Sequence, residues 1–214
     1  MVELPLRHEV NLFIELPKLH IISSMEAKNV DYRRYKVSRD LAWRILLNEG
    51  VTELPVKITA LCKQMGIRVS YFDPSDESDG YSTIFLGMPR IFVSRNCTPE
   101  RQRFTIAHEL GHILLGHVGE YDLVNREPDP GDNPIEHEAN VFASRLLAPA
   151  CVLWALDAYT PEDIASLCRI SKQSACFRAE RMAILKERGK FLSSPLEKKL
   201  YEQFSDYIRQ QKEK

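Results

Sequence analysis

The stretch RFTIAHELGH, residues 103–112, carries the pattern His-Glu-x-x-His at His108, Glu109 and His112. Residues four apart lie on one face of a helix, so His108 and His112 can offer two imidazole nitrogens to a single metal ion. Zinc takes such nitrogens in a tetrahedral shell, and a catalytic zinc site keeps one position open for water. Glu109 directly follows the first histidine, where its carboxylate can remove a proton from that water. The stretch therefore indicates a zinc helix; the alternative is a helix that carries two histidines by chance.

The composition indicates the class of protein in which this helix lies. The chain has 214 residues, of which 44% are hydrophobic and 28% charged, as in an ordinary globular protein. A net charge of -1 gives no sign of a general polyanion-binding surface. The five cysteines are an odd number without a Cys-x-x-Cys pair, which favours reduced thiols. The sequence has no apolar run typical of a membrane span or a signal peptide, so we expect a cytoplasmic protein that acts on intracellular targets.

Both ends of the zinc helix are marked in the sequence. Thr98 can cap its start, with Pro99 at the first helical position, and Gly116 and Gly119 mark its end. Gly111 lies inside the helix, where glycine costs up to about 1 kcal/mol relative to alanine. We interpret Gly111 as a sign that another element approaches the helix closely.

Two histidines hold zinc weakly, so a third protein ligand is expected. His117 lies five residues past His112, whereas the third histidine of metzincins lies six residues past the second. We therefore interpret His117 as a helix-end histidine, which favours the negative end of the helix dipole, and not as a ligand.

The helix predicted for residues 134–148, with Asn133 as its cap, is the expected source of the third ligand. Glu136 is the first candidate, with Glu138 and His137 as alternatives. Glu136 shares a face with small and apolar residues, and a carboxylate buried there needs a cation. Asn140, one turn further on, can hydrogen-bond a ligand imidazole and fix its orientation. Glu136 could instead belong to a capping box at the start of the same helix.

Three strands are predicted before the zinc helix. Residues 67–72 alternate between apolar and polar, and residues 81–86 and 90–94 form strands joined by Gly87-Met88-Pro89, which indicates a hairpin. Helices are predicted upstream of them, at residues 38–48 with Ser38 as the cap and at residues 55–64. The pattern favours an α+β protein.

These residues resemble a known family, the ImmA/IrrE metallopeptidases. The resemblance covers roughly residues 50–185. It implies a gluzincin-like zinc site in which His108, His112 and Glu136 are the ligands and Glu109 is the base. Three pieces match in order, namely residues 103–112, the segment 136–149 with its Glu-x-x-Ala-Asn-x-Phe-Ala and Leu-Leu-x-Pro patterns, and the approach from Leu54-Pro55-Val56 through Gly66-Ile67-x-Val69 to Gly80.

The resemblance also implies an architecture. We expect an α+β, zincin-like fold in which a small three-stranded antiparallel sheet backs the zinc-bearing helices, with a C-terminal helical region. We divide the chain into an N-terminal extension at 1–37 that need not be ordered, a zinc peptidase domain at 38–158, and the C-terminal helical region at 159–214.

Members of this family are typically cytoplasmic endopeptidases that inactivate a helix-turn-helix repressor and so switch on mobile-element or stress genes. The resemblance therefore implies a zinc-dependent endopeptidase. Many relatives carry their own helix-turn-helix domain at the N-terminus, but residues 1–50 do not resemble one, so we expect the target repressor to be a separate protein. The alternative is a non-proteolytic, metal-sensing regulatory protein that binds a repressor or DNA.

The C-terminal region contains two helices in a helix-turn-helix-like arrangement. Thr160 can cap the first, Ser171 can cap the second, and a final helix is predicted at residues 196–211. One interpretation is DNA contact through basic residues of the second helix. The other, which we favour, is a helical hairpin that closes the core, because the second helix also carries many apolar residues and the net charge is near zero. We therefore expect neither direct nucleic-acid binding nor membrane contact. The residues behind these two interpretations are Lys172, Gln173, Arg178 and Arg181 for the first, and Ala175, Cys176, Phe177, Met182 and Leu185 for the second.

Overall fold

The computed structural model describes residues 27–73, 78–119, 124–125 and 133–213, with side chains from residue 33 onward except at 124–125. Most of the extension expected at residues 1–37 therefore lies outside the described residues. Within those ranges the helices are α1 (Ala27–Asn48), α2 (Ile58–Gln64), α3 (Pro99–Leu114), α4 (Pro134–Leu147), α5 (Ala150–Ala155), α6 (Pro161–Cys168), α7 (Lys172–Glu187), α8 (Pro195–Gln203) and α9 (Ser205–Lys212). The strands are β1 (Arg68–Phe72), β2 (Gly80–Phe85), β3 (Met88–Ser94) and β4 (Val124–Asn125).

The sheet is mixed, so the prediction of a three-stranded antiparallel sheet was wrong in two respects. The strand order is β1-β3-β2-β4. β2 and β3 form the predicted antiparallel hairpin, but β1 pairs with β3 in parallel, and the short β4 adds a fourth strand beside β2. Alternation of apolar and polar residues predicts that a segment is a strand, but it does not predict which other strand pairs with it. β1 lies beside β3, where Ile91 and Val93 are fully buried at the centre of the sheet.

Side-chain caps start the helices at the predicted residues. The Thr98 hydroxyl accepts a hydrogen bond from the Arg101 amide, and Asn133 caps α4 in the same way. Thr160 and Ser171 cap α6 and α7, as their hydroxyl groups and the polar residues after them predict.

Three helix boundaries differ from the predictions, one of them the start of α2, which begins at Ile58 instead of residue 55. The prediction that Ser38 caps the first helix was wrong: Ser38 lies within α1, and its hydroxyl donates to the Arg34 carbonyl one turn earlier. The predicted final helix is divided into α8 and α9 at Phe204, whose side chain is fully buried. Helical hydrogen bonds from Phe204 to Leu200 and from Ile208 to Phe204 continue across this residue, and all three side chains are buried on one side.

The zinc helix predicted at α3 packs directly on α4, and Gly111 lies at their contact. A Cβ added to Gly111 would lie 3.0 Å from Phe142 Cδ1 and 3.3 Å from the Cα of Ala139. This confirms the prediction that another element approaches closely at this glycine. The close contact brings the start of α4 beside the two histidines of α3.

The C-terminal helices pack on the core formed by the preceding elements. Ala175, Arg178 and Met182 of α7 are buried, whereas Phe177, which was predicted to be buried, is 65% exposed. Arg103 of α3 donates hydrogen bonds to the carbonyl groups of Val56, Cys168 and Arg169, and so ties the turn between α6 and α7 to the zinc helix. None of the helices in the described ranges is long and apolar enough to cross a membrane.

Candidate active site

Three buried side chains from two helices meet at one point. His108 and His112 of α3 are fully buried, and Glu136 of α4 is 1% exposed. The Nε2 atoms of the two histidines lie 3.0 Å apart, and each of them lies 3.1 Å from an oxygen of the Glu136 carboxylate. Ligand atoms about 2.0–2.1 Å from a tetrahedral zinc ion lie roughly 3.3 Å from one another. The three atoms thus have the spacing that a single metal ion requires.

The hydrogen bonds behind the two histidines orient their lone pairs toward this point. Asn140 Oδ1 lies 3.0 Å from His108 Nδ1, so this nitrogen carries the proton in a neutral ring and Nε2 carries the lone pair. His117 Nε2 donates to Glu138 at 3.0 Å, which leaves His117 Nδ1 to accept from His112 Nδ1 at 3.0 Å. The Nε2 atom of His112 therefore also presents a lone pair.

Lone pairs facing a carboxylate in a buried site repel one another unless a cation lies between them. Burial raises the pKa of Glu136, but the neighbouring side chains of His108 and His112 outweigh burial and lower its pKa to about 2. Glu136 therefore carries its negative charge at neutral pH. The donor set of two imidazole nitrogens and one carboxylate is one that zinc accepts in catalytic sites. These residues fit a divalent metal.

Glu109 directly follows His108 in α3 and is fully buried. The Ser82 hydroxyl of β2 donates a hydrogen bond of 2.7 Å to Glu109 Oε2. The sheet therefore fixes the carboxylate that the sequence predicts as the base. No feature of the sequence around Ser82 marked it as part of the site.

A chain of polar side chains extends the site away from the metal position. His117 bonds His112, Glu138 bonds His117, and Arg34 of α1 forms an ion pair with Glu138 at 3.3 Å. His117 thus supports a predicted ligand, a role that the sequence analysis missed. Its position just after Gly116, which has a positive φ of 75°, turns it back toward His112.

The structure brings together four of the residues predicted for the site, His108, His112, Glu136 and Asn140, and Glu109 follows His108 on the same helix. The two alternatives for the third ligand are not part of this group of donors, which contains neither Glu138 nor His137. Glu138 instead forms an ion pair with Arg34 and accepts a hydrogen bond from His117.

His117, Tyr121 and Arg145 are the side chains that the sequence offers for stabilising an oxyanion. His117 is engaged by His112 and Glu138, and Arg145 lines a separate cavity with Arg178. Tyr121 lies outside the described residues.

Comparison with known proteins places this site in a family. Residues 62–180 match the model of a peptidase family, described as the IrrE N-terminal-like domain. The radiation response metalloprotease IrrE of Deinococcus deserti is 36% identical over 98 residues, which are 44% of this chain and 30% of that protein. The protein of the same name from Deinococcus radiodurans is 38% identical over 68 residues, 29% of this chain and 20% of its own.

The chain thus spans less than a third of the length of these two relatives. The family match is more extensive, because it begins at Cys62 in α2 and ends at Glu180 in α7 and so includes the sheet, the zinc helix and α4. Since this match covers more than half of the sequence, the chain belongs to the ImmA/IrrE family of metallopeptidases.

Proposed function

We propose that this chain is a zinc-dependent endopeptidase of the ImmA/IrrE type. The observation that carries the proposal is the convergence of two imidazole lone pairs and a carboxylate on one buried point, together with a second buried carboxylate, Glu109, which follows His108 in α3 and is fixed by Ser82. A purely structural metal site has no use for that second carboxylate. A hydrolytic site needs one as its general base.

His108, His112 and Glu136 would hold the metal. Asn140 and His117 would keep the two rings in the orientation that binds it. When bound, zinc lowers the pKa of a coordinated water and polarises the carbonyl group of a substrate.

Glu109 performs the proton transfers. Its carboxylate takes the proton from the attacking water and then passes it to the nitrogen of the leaving amine. The hydrogen bond from Ser82 occupies Oε2 and fixes the plane of the carboxylate. Because Glu109 is fully buried, this proton transfer takes place away from bulk water.

An extended peptide would bind along the edge of the sheet nearest the site. β2 carries Ser82, and β4 covers only Tyr81 and Ser82 of β2 among the residues that the structure describes. Thr83 and Ile84 continue that edge. A substrate strand that pairs there would present its backbone to the residues around Glu109.

The proposed substrate is a separate intracellular repressor with a helix-turn-helix fold, whose cleavage derepresses mobile-element or stress genes. The resemblance to the ImmA/IrrE family supports this class of substrate, and the two Deinococcus relatives are named for a radiation response. In this proposal the partner is a protein, and α6 and α7 serve the core instead of contacting DNA. The burial of Arg178 supports that assignment, because a side chain that is 1% exposed is not available to a DNA groove.

The deciding experiment uses Glu109→Gln with Glu100→Gln as the matched control on the same helix. Glu109→Gln should retain one zinc per chain and lose peptide cleavage by a factor of 10³ or more, on the order of the effect of removing a general base and its positioning. Glu100→Gln should cleave at the wild-type rate. Zinc is measured by atomic absorption and cleavage with the purified repressor encoded nearest to the gene. Cleavage by Glu109→Gln at the wild-type rate would show that Glu109 is not the base.

The same assay, run with and without a chelator, separates proteolysis from regulatory binding. An endopeptidase shortens the repressor only when metal is present. If the repressor is bound but stays at full length under every condition, the protein is a metal-dependent binding protein and the proposal fails.

A further inference from the structure

A cavity of about 210 Å³ lies between α1, α4 and the C-terminal helices. Seven of its lining residues are basic, and one, Glu197, is acidic. This concentration of charge occurs in a chain whose net charge is -1. The cavity is separate from the metal centre, because none of His108, His112 or Glu136 lines it.

Arg178 is the most unusual residue of the cavity. Its side chain is buried, and its Nε donates to the carbonyl group of Ala148 at 2.8 Å. Its two terminal nitrogens, Nη1 and Nη2, are buried without an acceptor among the residues that the structure describes. Trp43 also lines the cavity, and its buried Nε1 donor likewise has no acceptor among the residues that the structure describes. Each of these unsatisfied groups is a donor.

The surrounding charges do not neutralise Arg178. Arg145 and Arg181 line the same cavity, and within the described ranges no carboxylate lies within 4.0 Å of any of these three guanidinium groups. Burial lowers the pKa of Arg178 to about 10, and the nearby positive charge of Arg181 contributes to this shift. Burial also lowers the pKa of Arg145, and the charges of Arg178 and Arg181 lower it further.

The two nearest carboxylates balance only part of this charge. Asp40 forms its ion pair with Arg39, a fourth arginine of the cavity, at 2.6 Å. Glu197 accepts a hydrogen bond from the Ser193 amide, and burial raises its pKa. Seven basic lining residues against these two carboxylates leave a large excess of positive charge. Buried charges of this kind are expected to have a counter-charge and acceptors for their hydrogen bonds.

We infer that this cavity is a binding site for a small anion that carries a phosphate group, held by Arg145, Arg178 and Arg181. Guanidinium groups match the oxygens of phosphate with paired hydrogen bonds, and a phosphate supplies the several acceptors that the orphaned donors need. The volume suits one phosphate group with a small part of the molecule that carries it, since it is below the roughly 300–1,000 Å³ of pockets for drug-sized ligands. Tyr35, which is 38% exposed, is the aromatic side chain of the lining that a nucleobase can reach, whereas the Trp43 ring is buried under Arg39.

The test measures anion binding by the full-length, zinc-loaded chain and requires no protease activity. The probes are inorganic phosphate, AMP and ATP, each titrated by calorimetry and by thermal unfolding in a chloride buffer of constant ionic strength. Phosphate or a nucleotide should bind and raise the midpoint of unfolding. Arg145→Gln and Arg181→Gln should each weaken binding at least tenfold, and Arg178→Met should abolish it. Arg44→Gln, an exposed arginine of α1 outside the cavity, should bind as the wild type does.

The three probes distinguish a free phosphate from a nucleotide, because only a nucleotide gains affinity from its base. Arg145→Gln and Arg181→Gln keep the test decisive if Arg178→Met fails to fold. No response to any probe at constant ionic strength would overturn the inference. So would a response that survives both glutamine variants but is lost in His112→Ala, which would place the phosphate on the metal. Binding of duplex DNA, but not of the three probes, through the same arginines would show a nucleic-acid contact instead.

Discussion

Ser82 holds the predicted base from a different element of the fold. Its hydroxyl donates a hydrogen bond of 2.7 Å to Glu109 Oε2, and the two residues lie 27 positions apart in the sequence. A hydrogen bond to a charged group contributes roughly 1.5–3 kcal/mol, so Ser82→Ala should lower kcat about 10- to 100-fold. KM and zinc content should change little, because Ser82 contacts neither of the predicted histidine ligands. Thr83→Ala, the next residue of β2, is the control. A kcat within twofold of wild type in Ser82→Ala would show that the hydroxyl does not position the base.

Glu138 is linked to the predicted ligand His112 by two hydrogen bonds that pass through His117, so we expect Glu138 to affect the affinity for metal. It accepts from His117, which in turn accepts from His112, and it forms an ion pair with Arg34. Removing an outer partner of a ligand histidine typically costs about 10- to 100-fold in metal affinity. We expect Glu138→Ala to fall in this range in a zinc competition titration. The control is Glu180→Ala, which replaces an exposed glutamate of α7 and should bind zinc as the wild type does. Equal zinc affinities in the two variants would contradict the role of the hydrogen bonds from His112 through His117 to Glu138.

At the scale of the elements, the contact of α3 with α4 at Gly111 sets the position of Glu136. A Cβ at Gly111 would press on Phe142 and Ala139 at 3.0–3.3 Å. Overpacking typically costs about 1–3 kcal/mol, whereas replacing an interior helical glycine with alanine gains up to about 1 kcal/mol. Gly111→Ala should therefore destabilise the protein by about 1–2 kcal/mol in urea unfolding. The substitution should also weaken zinc binding, because pushing α4 away from α3 moves Glu136 away from the two histidines.

The steric origin of this effect is tested with Phe142→Leu. If the added methyl group collides with the Phe142 ring, the double variant should lose less stability than the two single variants together. Strict additivity would indicate that Gly111 is needed for another reason.

The sequence predicted those elements whose signals are local. Helix caps depend on one side chain and an amide two or three residues later, and Thr98, Asn133, Thr160 and Ser171 were all identified. The pairing of β1 with β3 was not identified, because strand neighbours are chosen by packing between distant segments. Phe177 was placed inside and proved exposed, while Arg178 beside it is buried, because the apolar residues of α7 do not define a single face.

At the scale of the whole molecule, the same difference between local signals and contacts of distant segments explains which residues of the candidate site could be predicted. His108, Glu109 and His112 lie on one turn and a half of helix, so their arrangement follows from helical geometry. Glu136 and Asn140 could be placed only because their own helix has an inward face. Ser82, His117 and Arg34 reach the site through the tertiary fold, and no spacing in the sequence points to them. The basic cavity is likewise invisible in a composition whose charges nearly cancel.

Metal should also stabilise the whole molecule, because its predicted ligands join α3 to α4 and the unfolded chain does not bring them together. A ligand at about 1,000 times its Kd stabilises the native state by about 4 kcal/mol. A change of 1 kcal/mol shifts the midpoint of unfolding by roughly 2–4 °C for a protein of this size. Removal of zinc with a chelator should therefore lower Tm by about 8–16 °C, and added zinc, but not magnesium, should restore it.

His108→Ala is the control for this measurement, since its Tm should already be low and should not respond to the chelator. The loss of metal is verified by atomic absorption before each scan. Without the ion, the Glu136 carboxylate faces two imidazole nitrogens that must take up a proton to remain beside it. An unchanged Tm in a verified metal-free wild-type protein would mean that α3 and α4 hold the three donors together by packing alone, with Gly111 and Phe142 as the contact that does so.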